Sequence, residues 1–337
     1  MRLNWKIGGW ILLGEISKFS GKDDWEPFGL PRILVIGCGY AGNNIVNRLA
    51  HLGLKGGKTV AVNDDSRQLA LIEADRKMLI KKKLGHYFGD IENHETERWL
   101  NGTRSIFEDA LKDMDLIFIT TDLSGGTGKN VASIAAEISK RRGALVAVIV
   151  TTSNRDNASK ISANKRYLNA LRQNADTLIV MDNNRLLRYL PFEETFSVVD
   201  QMIAETIKGI TETITQPSLI NLDFADVKTI MQNGGASLMF VGEADLSDGP
   251  ENVVKMILGN PLLDVDYNEV TGCLLHITGG LDLKLEDATK IAGSLTQKLS
   301  PKANVIWGAR IRPEFERKIK LTIIATNVKS THILPQK

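Results

Sequence analysis

Apolar and polar positions along this chain fall into two rhythms. Short, nearly unbroken apolar runs recur at Ile33–Ile36, Val60–Val62, Leu116–Thr120, Leu145–Thr151 and Thr177–Met181. A run without polar alternation is what a strand buried on both faces shows, as in a parallel sheet. Between these runs lie segments with helical spacing: Ile45–His51, Leu69–Ala74, Ile91–Lys112 and the stretch carrying Val131, Ile134, Ala135 and Ile138. Strands alternating with helices predict a parallel sheet covered on both faces. Residues 195–214 predict one long helix, with Phe196, Val199, Ile203, Ile207 and Ile210 on a single stripe. From Ala236 the rhythm changes. Strands are expected at Ser237–Glu243, Cys273–Thr278, Asn304–Trp307 and Lys320–Ala325, with helices only at Val253–Leu258 and Leu285–Leu299. That pattern reads as a smaller mixed sheet. Ahead of everything, Trp5, Trp10, Leu12, Leu13, Ile16 and Phe19 form an apolar segment broken by Gly8-Gly9, expected as a short helix packed on the main domain, with a membrane-surface or partner-binding helix as the alternative. The polar residues Lys329–Lys337 are expected to fray.

Composition narrows this picture only a little. The chain has 337 residues, 43% apolar and 24% charged, enough for one large or two ordinary domains. Forty-two Lys and Arg against 40 Asp and Glu leave a net charge of +2, which does not point to nucleic acid. Cys38 and Cys273 are too far apart for a metal spacing, and the five histidines do not cluster, so no metal-ligating set is expected. Reduced thiols in a cytosol are the default. Glu15 and Lys18 interrupt what would be a signal-peptide core. No apolar run approaches the roughly 20 residues that span a bilayer.

Candidate chemistry begins at two glycine-rich turns. Gly37-Cys38-Gly39-Tyr40-Ala41-Gly42-Asn43-Asn44 follows the first strand and contains GxGxxG. With the acids Asp64 and Asp65 ending the second strand, a dinucleotide-binding Rossmann unit is a fair reading. Ser124-Gly125-Gly126-Thr127-Gly128 is a second such turn, between a strand and a helix. Glycines permit tight turns and close approach, and the first amides of a helix lack partners at its positive end. Phosphate answers both. Two such turns on one sheet suggest a polyphosphate gripped from two sides, where a nicotinamide site uses one. Leu123 and Asn130 stand where a Walker motif needs Gly and Ser or Thr, which excludes that motif. An ordinary strand-to-helix turn is the plainer alternative.

Two further pairs stand out. Phe196 and Asp200 are one turn apart near a helix start, suited to stacking on a purine and accepting guanine's N1–H and N2–H; a core Phe and a surface Asp is the plainer alternative. Asp223 and Asp226 bracket a turn into the next helix, as a helix cap or as a pair that orients a water.

Together these segments resemble the FtsZ/tubulin family, over residues 31–328. Gly37–Asn44 is similar to the family's GxGGAGNN loop, Ser124–Asn130 to its GGGTGTG signature, and Asn221–Val227 with Lys228-Thr229 to its NxDFADVRT loop. The resemblance implies an α/β fold in which a parallel-sheet, Rossmann-like GTPase domain is joined by a long central helix to a smaller mixed α+β domain. The expected division is an extension at 1–30, a GTP-binding domain at 31–217 including helix 195–214, a C-terminal domain at 218–330 and a tail at 331–337. It implies GTP and GDP as ligands, with Mg²⁺ alongside the nucleotide. Gly39, Tyr40, Ala41, Gly42, Asn43 and Asn44, with Gly125, Gly126, Thr127 and Gly128, would hold phosphates. Asn183, Phe196 and Asp200 would read guanosine. Asn221, Asp223 and Asp226 would complete hydrolysis on a neighbouring copy's nucleotide, in a head-to-tail homopolymer. A cytoplasmic protein recruited to the inner face of the membrane by tether or division proteins is expected, serving division or cell shape.

Departures from the family pattern leave an alternative: a non-hydrolysing or weakly hydrolysing assembly or regulatory paralogue. Tyr40 replaces a glycine, and Ser124, Lys129 and Asn130 replace Gly, Thr and Gly. Leu84–Asp90 stands for the loop that senses the terminal phosphate, and Asn157 for the ribose-binding Glu. Lys129 would add a charge near the phosphates or be a solvated helix-start lysine. The family's long C-terminal linker and tether-binding peptide are not expected here.

Overall fold

The apolar runs fold as strands, and the glycine turns become the starts of helices. The computed structural model describes residues 10–11, 29–80, 94–152, 158–183, 191–258 and 267–328. It divides into two compact units, Met1–Asn174 and Ala175–Lys337.

In the first unit the elements run β1 (Trp10–Ile11), β2 (Ile33–Cys38), α1 (Gly39–Leu52), β3 (Gly57–Asn63), α2 (Ser66–Leu71), β4 (Arg76–Leu79), α3 (His94–Ala110), β5 (Leu116–Asp122), α4 (Gly126–Arg141), β6 (Leu145–Thr152) and α5 (Ala158–Asn174). The sheet order is β1-β4-β3-β2-β5-β6, and every pairing is parallel. Every residue of β2 is buried, as its unbroken apolar run requires. Ile45, Val46 and Leu49 of α1 and Val131, Ile134, Ala135 and Ile138 of α4 are all buried. Gly53 ends α1 in the left-handed region at φ 68°, its N–H returned to the Ala50 carbonyl.

The second unit runs β7 (Thr177–Asp182), α6 (Phe192–Thr215), α7 (Phe224–Met231), β8 (Gly235–Asp245), α8 (Pro250–Leu258), β9 (Gly272–Gly279), α9 (Leu285–Thr296), β10 (Asn304–Ile311) and β11 (Lys318–Thr326). Its sheet, β7-β8-β11-β9-β10, is mixed: β11 lies antiparallel to β8 and β9, while β7–β8 and β9–β10 are parallel. One face is apolar. Cys273, Leu275 and Ile277 of β9 pack with Val253 and Val254 of α8 and Ala288, Ile291 and Leu295 of α9. Strand alternation sends His276 and Thr278 to the other face, in register with Thr322 and Lys320 of β11 and with Gly308 and Arg310 of β10. Helix α6 lies against that polar face. A Cβ on Gly209 would stand 3.0 Å from His276 Nδ1, so only glycine lets helix and ring meet this closely.

Several expectations change. The first glycine stretch is not a loop before a helix at Ile45; α1 begins at Gly39, directly from β2. Of the expected N-terminal helix, only Trp10 and Ile11 are described, and they form a strand paired with Lys77 and Met78. Strand β4 went unexpected because Arg76-Lys77-Met78-Leu79 is a half-buried strip, not an apolar run. Helix α5 went unexpected because its sequence is mostly polar; Tyr167, Leu168 and Leu171 are buried apolar residues in it. The phosphate-sensing stretch Leu84–Asp90, the segment Ser153–Asn157 and the tail 331–337 lie outside the described residues.

Buried beneath α6, His276 is held neutral. Burial, reinforced by Arg310, Arg312 and Lys320, pushes its pKa from 6.5 down to about 3. The unfolded chain takes up a proton near pH 6.5 that the folded chain refuses until about 3. The stability tied to this refusal is complete above pH 6.5 and is lost on acidification between those values, at up to about 1.4 kcal/mol per pH unit. His276→Gln is therefore expected to lose roughly 1–2 kcal/mol less than wild type between pH 7 and pH 5, measured by urea unfolding at both. Equal losses would show that the imidazole takes a proton without opening the fold.

Candidate functional site

Two helices in the first unit start with bare amides side by side. Neither Cys38 before α1 nor Gly125 before α4 supplies a side-chain cap, and neither helix has an acid in its first turn. The first backbone N–H groups of each therefore lack both hydrogen-bond partners and a compensating charge. The two starts touch. A Cβ on Gly39, which sits at φ +73°, would stand 3.0 Å from Gly128 Cα, and one on Gly128 would stand 2.9 Å from the Cys38 carbonyl.

The glycines here separate into two kinds. A Cβ on Gly37 or Gly42 would stand 2.3 Å from a backbone oxygen, of Gly42 and Thr120 respectively, so these glycines serve packing, as do Gly39 and Gly128. Around Gly126 nothing lies within 4 Å, and around Gly125 only Asp122 Oδ1, at 3.4 Å. The start of α4 is thus open on the side its neighbours leave free. An anionic group would find exposed amides and no side chain in its way.

The rim carries oxygen atoms. Thr127 Oγ1 donates to Asp64 Oδ2 at 3.0 Å, and Ser124 Oγ donates to Asp122. Neither carboxylate was expected among the site residues; the acidic end of β3 was the available signal for Asp64. Asn43 is buried, with Oδ1 accepting from the Val62 amide at 3.1 Å and Nδ2 lacking a hydrogen-bond partner. Ala41 and Asn44 are half-buried in the first turns of α1. Tyr40 is 63% exposed, so its ring does not pack into the core. Lys129 Nζ donates to Asn164 Oδ1 at 3.2 Å and lies 6.0 Å from the centre of the Tyr167 ring. Its charge is engaged by α5, so it is not merely a solvated lysine.

The remaining expected residues belong to the second unit. Asn183 follows β7 and is buried, its Oδ1 without a hydrogen-bond partner. Phe196 is half-buried and Asp200 is buried, one turn apart on α6. Asp223 and Asp226 form a reciprocal capping box on α7. The Asp226 amide donates to Asp223 Oδ1 at 2.7 Å, and the Asp223 amide to Asp226 Oδ2 at 3.3 Å. The cap reading holds, and it leaves Asp223 Oδ2 and Asp226 Oδ1 outside the box. Asp223 and Asn221 are exposed, and Asp226 is half-buried. The loop before them is pinned. Ile220 exchanges two backbone hydrogen bonds with Ala309 of β10, at 3.0 and 3.1 Å, and Leu222 is buried against Gly308. Asn221 Oδ1 accepts from the Ser218 amide at 2.8 Å, closing the turn.

Comparison with known proteins agrees with this layout. Residues 32–191 match the family model described as Tubulin/FtsZ family, GTPase domain, and residues 235–329 match FtsZ family, C-terminal domain. The chain is 46% identical over 323 residues to cell division protein FtsZ 2 of Haloferax volcanii, covering 94% of this chain and 80% of that one. It is 44% identical over 316 residues to cell division protein FtsZ 2 of Methanocaldococcus jannaschii, covering 92% and 83%. An empty FtsZ dimer from M. jannaschii superposes with a TM-score of 0.80 at 37% identity, covering 91% of this chain and 94% of that one. With two bare helix starts meeting at Gly39 and Gly128, an acid-bearing loop pinned to a mixed sheet, and these matches along nearly its whole length, the chain belongs to the Tubulin/FtsZ family of GTPases.

Proposed function

We propose that this protein binds GTP and assembles head to tail, and that each copy completes the hydrolytic site of its neighbour. The observation that carries the reading is the pair of exposed Asp223 and half-buried Asp226, each keeping one carboxylate oxygen outside the capping box on a loop fixed to β10. Two anchored carboxylates can orient a water for in-line attack on a terminal phosphate. Nothing in the cap itself requires acids at both positions, since Asn caps a helix as well as Asp does.

The amides from Gly39 to Asn44 and from Gly125 to Gly128 are the phosphate donors in this reading. Asn183 and Asp200, both buried, offer an amide and a carboxylate to guanosine, and Phe196 a ring face. Asp64 with the Thr127 hydroxyl, and Asp122 with the Ser124 hydroxyl, are hard oxygen donors beside the start of α4 that would suit Mg²⁺. No group of three or more His, Cys, Asp or Glu that could hold a metal ion occurs among the described residues, so such an ion would need its other ligands from phosphates and water. Bound there, Mg²⁺ would neutralise phosphate charge.

Self-association follows the M. jannaschii relative, whose structure is a dimer, and a head-to-tail contact repeats into a filament. A role in division follows the relatives' names, with action in the cytoplasm, through tether or division proteins at the inner face of the membrane. No described helix is long and apolar enough to cross a membrane.

A second reading, an assembly paralogue with weak or no hydrolysis, draws on Tyr40. Its exposed ring at the first turn of α1 stands where the family has glycine, beside the bare amides.

Phosphate release with GTP and Mg²⁺ separates the two readings. Asp223→Asn and Asp226→Asn keep an oxygen for the cap and remove the charge. Each is expected to lower release by about 10²-fold with GTP affinity unchanged. Release as fast as wild type would remove the acids from the mechanism, and absence of turnover in wild type itself would favour the paralogue.

Gly126→Ala adds a methyl to open space in the first turn of α4. The variant is expected to unfold within about 0.5 kcal/mol of wild type. Its GTP affinity is expected to fall about tenfold or more, the scale of one lost charge-assisted hydrogen bond. Unaltered GTP binding in an equilibrium titration would place the phosphates elsewhere.

A further inference from the structure

The acid loop has a second anchor, made of charge. Glu212 lies in the last turn of α6, and its side chain is 1% exposed. It meets three cations. Lys208 Nζ is 2.5 Å away on the same helix, Arg310 Nη1 is 3.4 Å away on β10, and Arg312 just beyond β10 holds the same carboxylate. Arg312 is itself tied down, its amide donating to the Gly279 carbonyl at 2.8 Å and its guanidinium to Glu314 at 3.2 Å.

Ala309, one residue before Arg310, is where β10 grips the backbone of Ile220. The short stretch from Ala309 to Arg312, the end of β10 and the residue after it, therefore holds the helix before the acid loop by charge and the loop itself by backbone bonds. Only Thr213 to Leu219 separate the two grips along the chain. A buried ion pair is poor evidence of stabilisation, because desolvation offsets much of the attraction. Arg310 Nη1 adds charge without a hydrogen bond, so the directional bond from Arg312 is the part better explained as fixing register, which an apolar contact would leave free to slide.

We infer that Glu212 is a positioning residue for hydrolysis: through Arg310 and Arg312 it locks the end of α6 to β10 and so sets where Asn221, Asp223 and Asp226 stand against the next subunit's nucleotide. The inference rests on the reading of those acids given above. It predicts a defect that a subunit inflicts on its neighbour's GTP and not on its own.

Glu212→Gln is expected to bind GTP as wild type does before assembly, while phosphate release per assembled subunit falls at least about tenfold. Small misplacements of a reacting group carry losses of that order or more. Mixing supplies the readout that general destabilisation would not move. Glu212→Gln subunits, with sound nucleotide sites, mixed with Gly126→Ala subunits, with sound acid loops, are expected to release phosphate faster than the sum of the two alone. Mixed with Asp226→Asn subunits they are expected to show no such gain. No gain in the first mixture, or a loss of GTP affinity in unassembled Glu212→Gln, would overturn the inference.

Arg312→Lys covers the case in which Glu212→Gln does not fold. It keeps the charge and loses the planar fork, and is expected to retain stability and GTP affinity with release reduced severalfold. Release at the wild-type rate in that variant would also overturn the inference. If Asp226→Asn hydrolyses normally, the reading of the acids fails; if Asp226→Asn is inactive and both Glu212→Gln and Arg312→Lys hydrolyse normally, only the inference about Glu212 fails.

Discussion

The closeness of Gly39 to Gly128 is the constraint on which the first unit's chemistry depends. Two strands of a parallel sheet each deliver a helix, and the two helix starts can touch only if neither carries a side chain at the contact. The consequence is electrostatic as much as steric. Two sets of unpaired amides, each at the positive end of a helix of 14 or 16 residues, become neighbours. No cap residue neutralises either set. Such an arrangement is unfavourable for a protein left to itself and favourable once an anion with several charged oxygens bridges both sets. Gly37 and Gly42 extend the same logic, bringing β2, α1 and β5 together backbone to backbone.

The second unit solves a different problem, that of holding acids outward on a firm support. A surface loop bearing two carboxylates would ordinarily wander. Here each carboxylate spends one oxygen on the other's amide, so the pair is rigid without a further partner. The loop before it is stitched to Ala309, and Leu222 is driven under Gly308. The other face of the same sheet, lined by Cys273, Leu275 and Ile277, rests on the apolar layer of α8 and α9. The face toward α6 is polar, with His276 kept neutral among cations. Hydrogen-bonded ion pairs, Arg312 with Glu212 and Lys320 with Glu205, join that face to α6, whereas apolar packing holds the opposite face.

How much of this was legible in the sequence follows from the physics of each signal. Strands buried on both faces announce themselves as apolar runs, and β2, β5, β6 and β7 are found where those runs lie. Elements that bury only a strip, β4 and α5, carry too few apolar residues to stand out from loops. The glycine turns were visible, but not that Gly39 already belongs to a helix, because glycine's own propensity argues against one. Sequence also could not sort glycines that are packed from those that are open; that distinction lives in long-range contacts such as Gly42 with Thr120. For the acids, a cap and a water-orienting pair read as rivals in the sequence. The geometry makes the cap the support on which the other role can rest.

Asp223 and Asp226 lie far along the chain from the amides of α1 and α4, and helix capping gives a physical reason for that separation. An Asp within reach of a bare helix start, in the same subunit, would cap that helix and compete with phosphate for the amides. The two acids that do stand at the rim, Asp64 and Asp122, are engaged by the hydroxyls of Thr127 and Ser124, which leaves the helix starts uncapped. In the proposed assembly, acids supplied by a second copy would avoid that competition, because they would arrive only when a subunit docks, after the amides are occupied. On the proposed function, assembly would then be the condition for hydrolysis, and an isolated subunit would hold its nucleotide without consuming it.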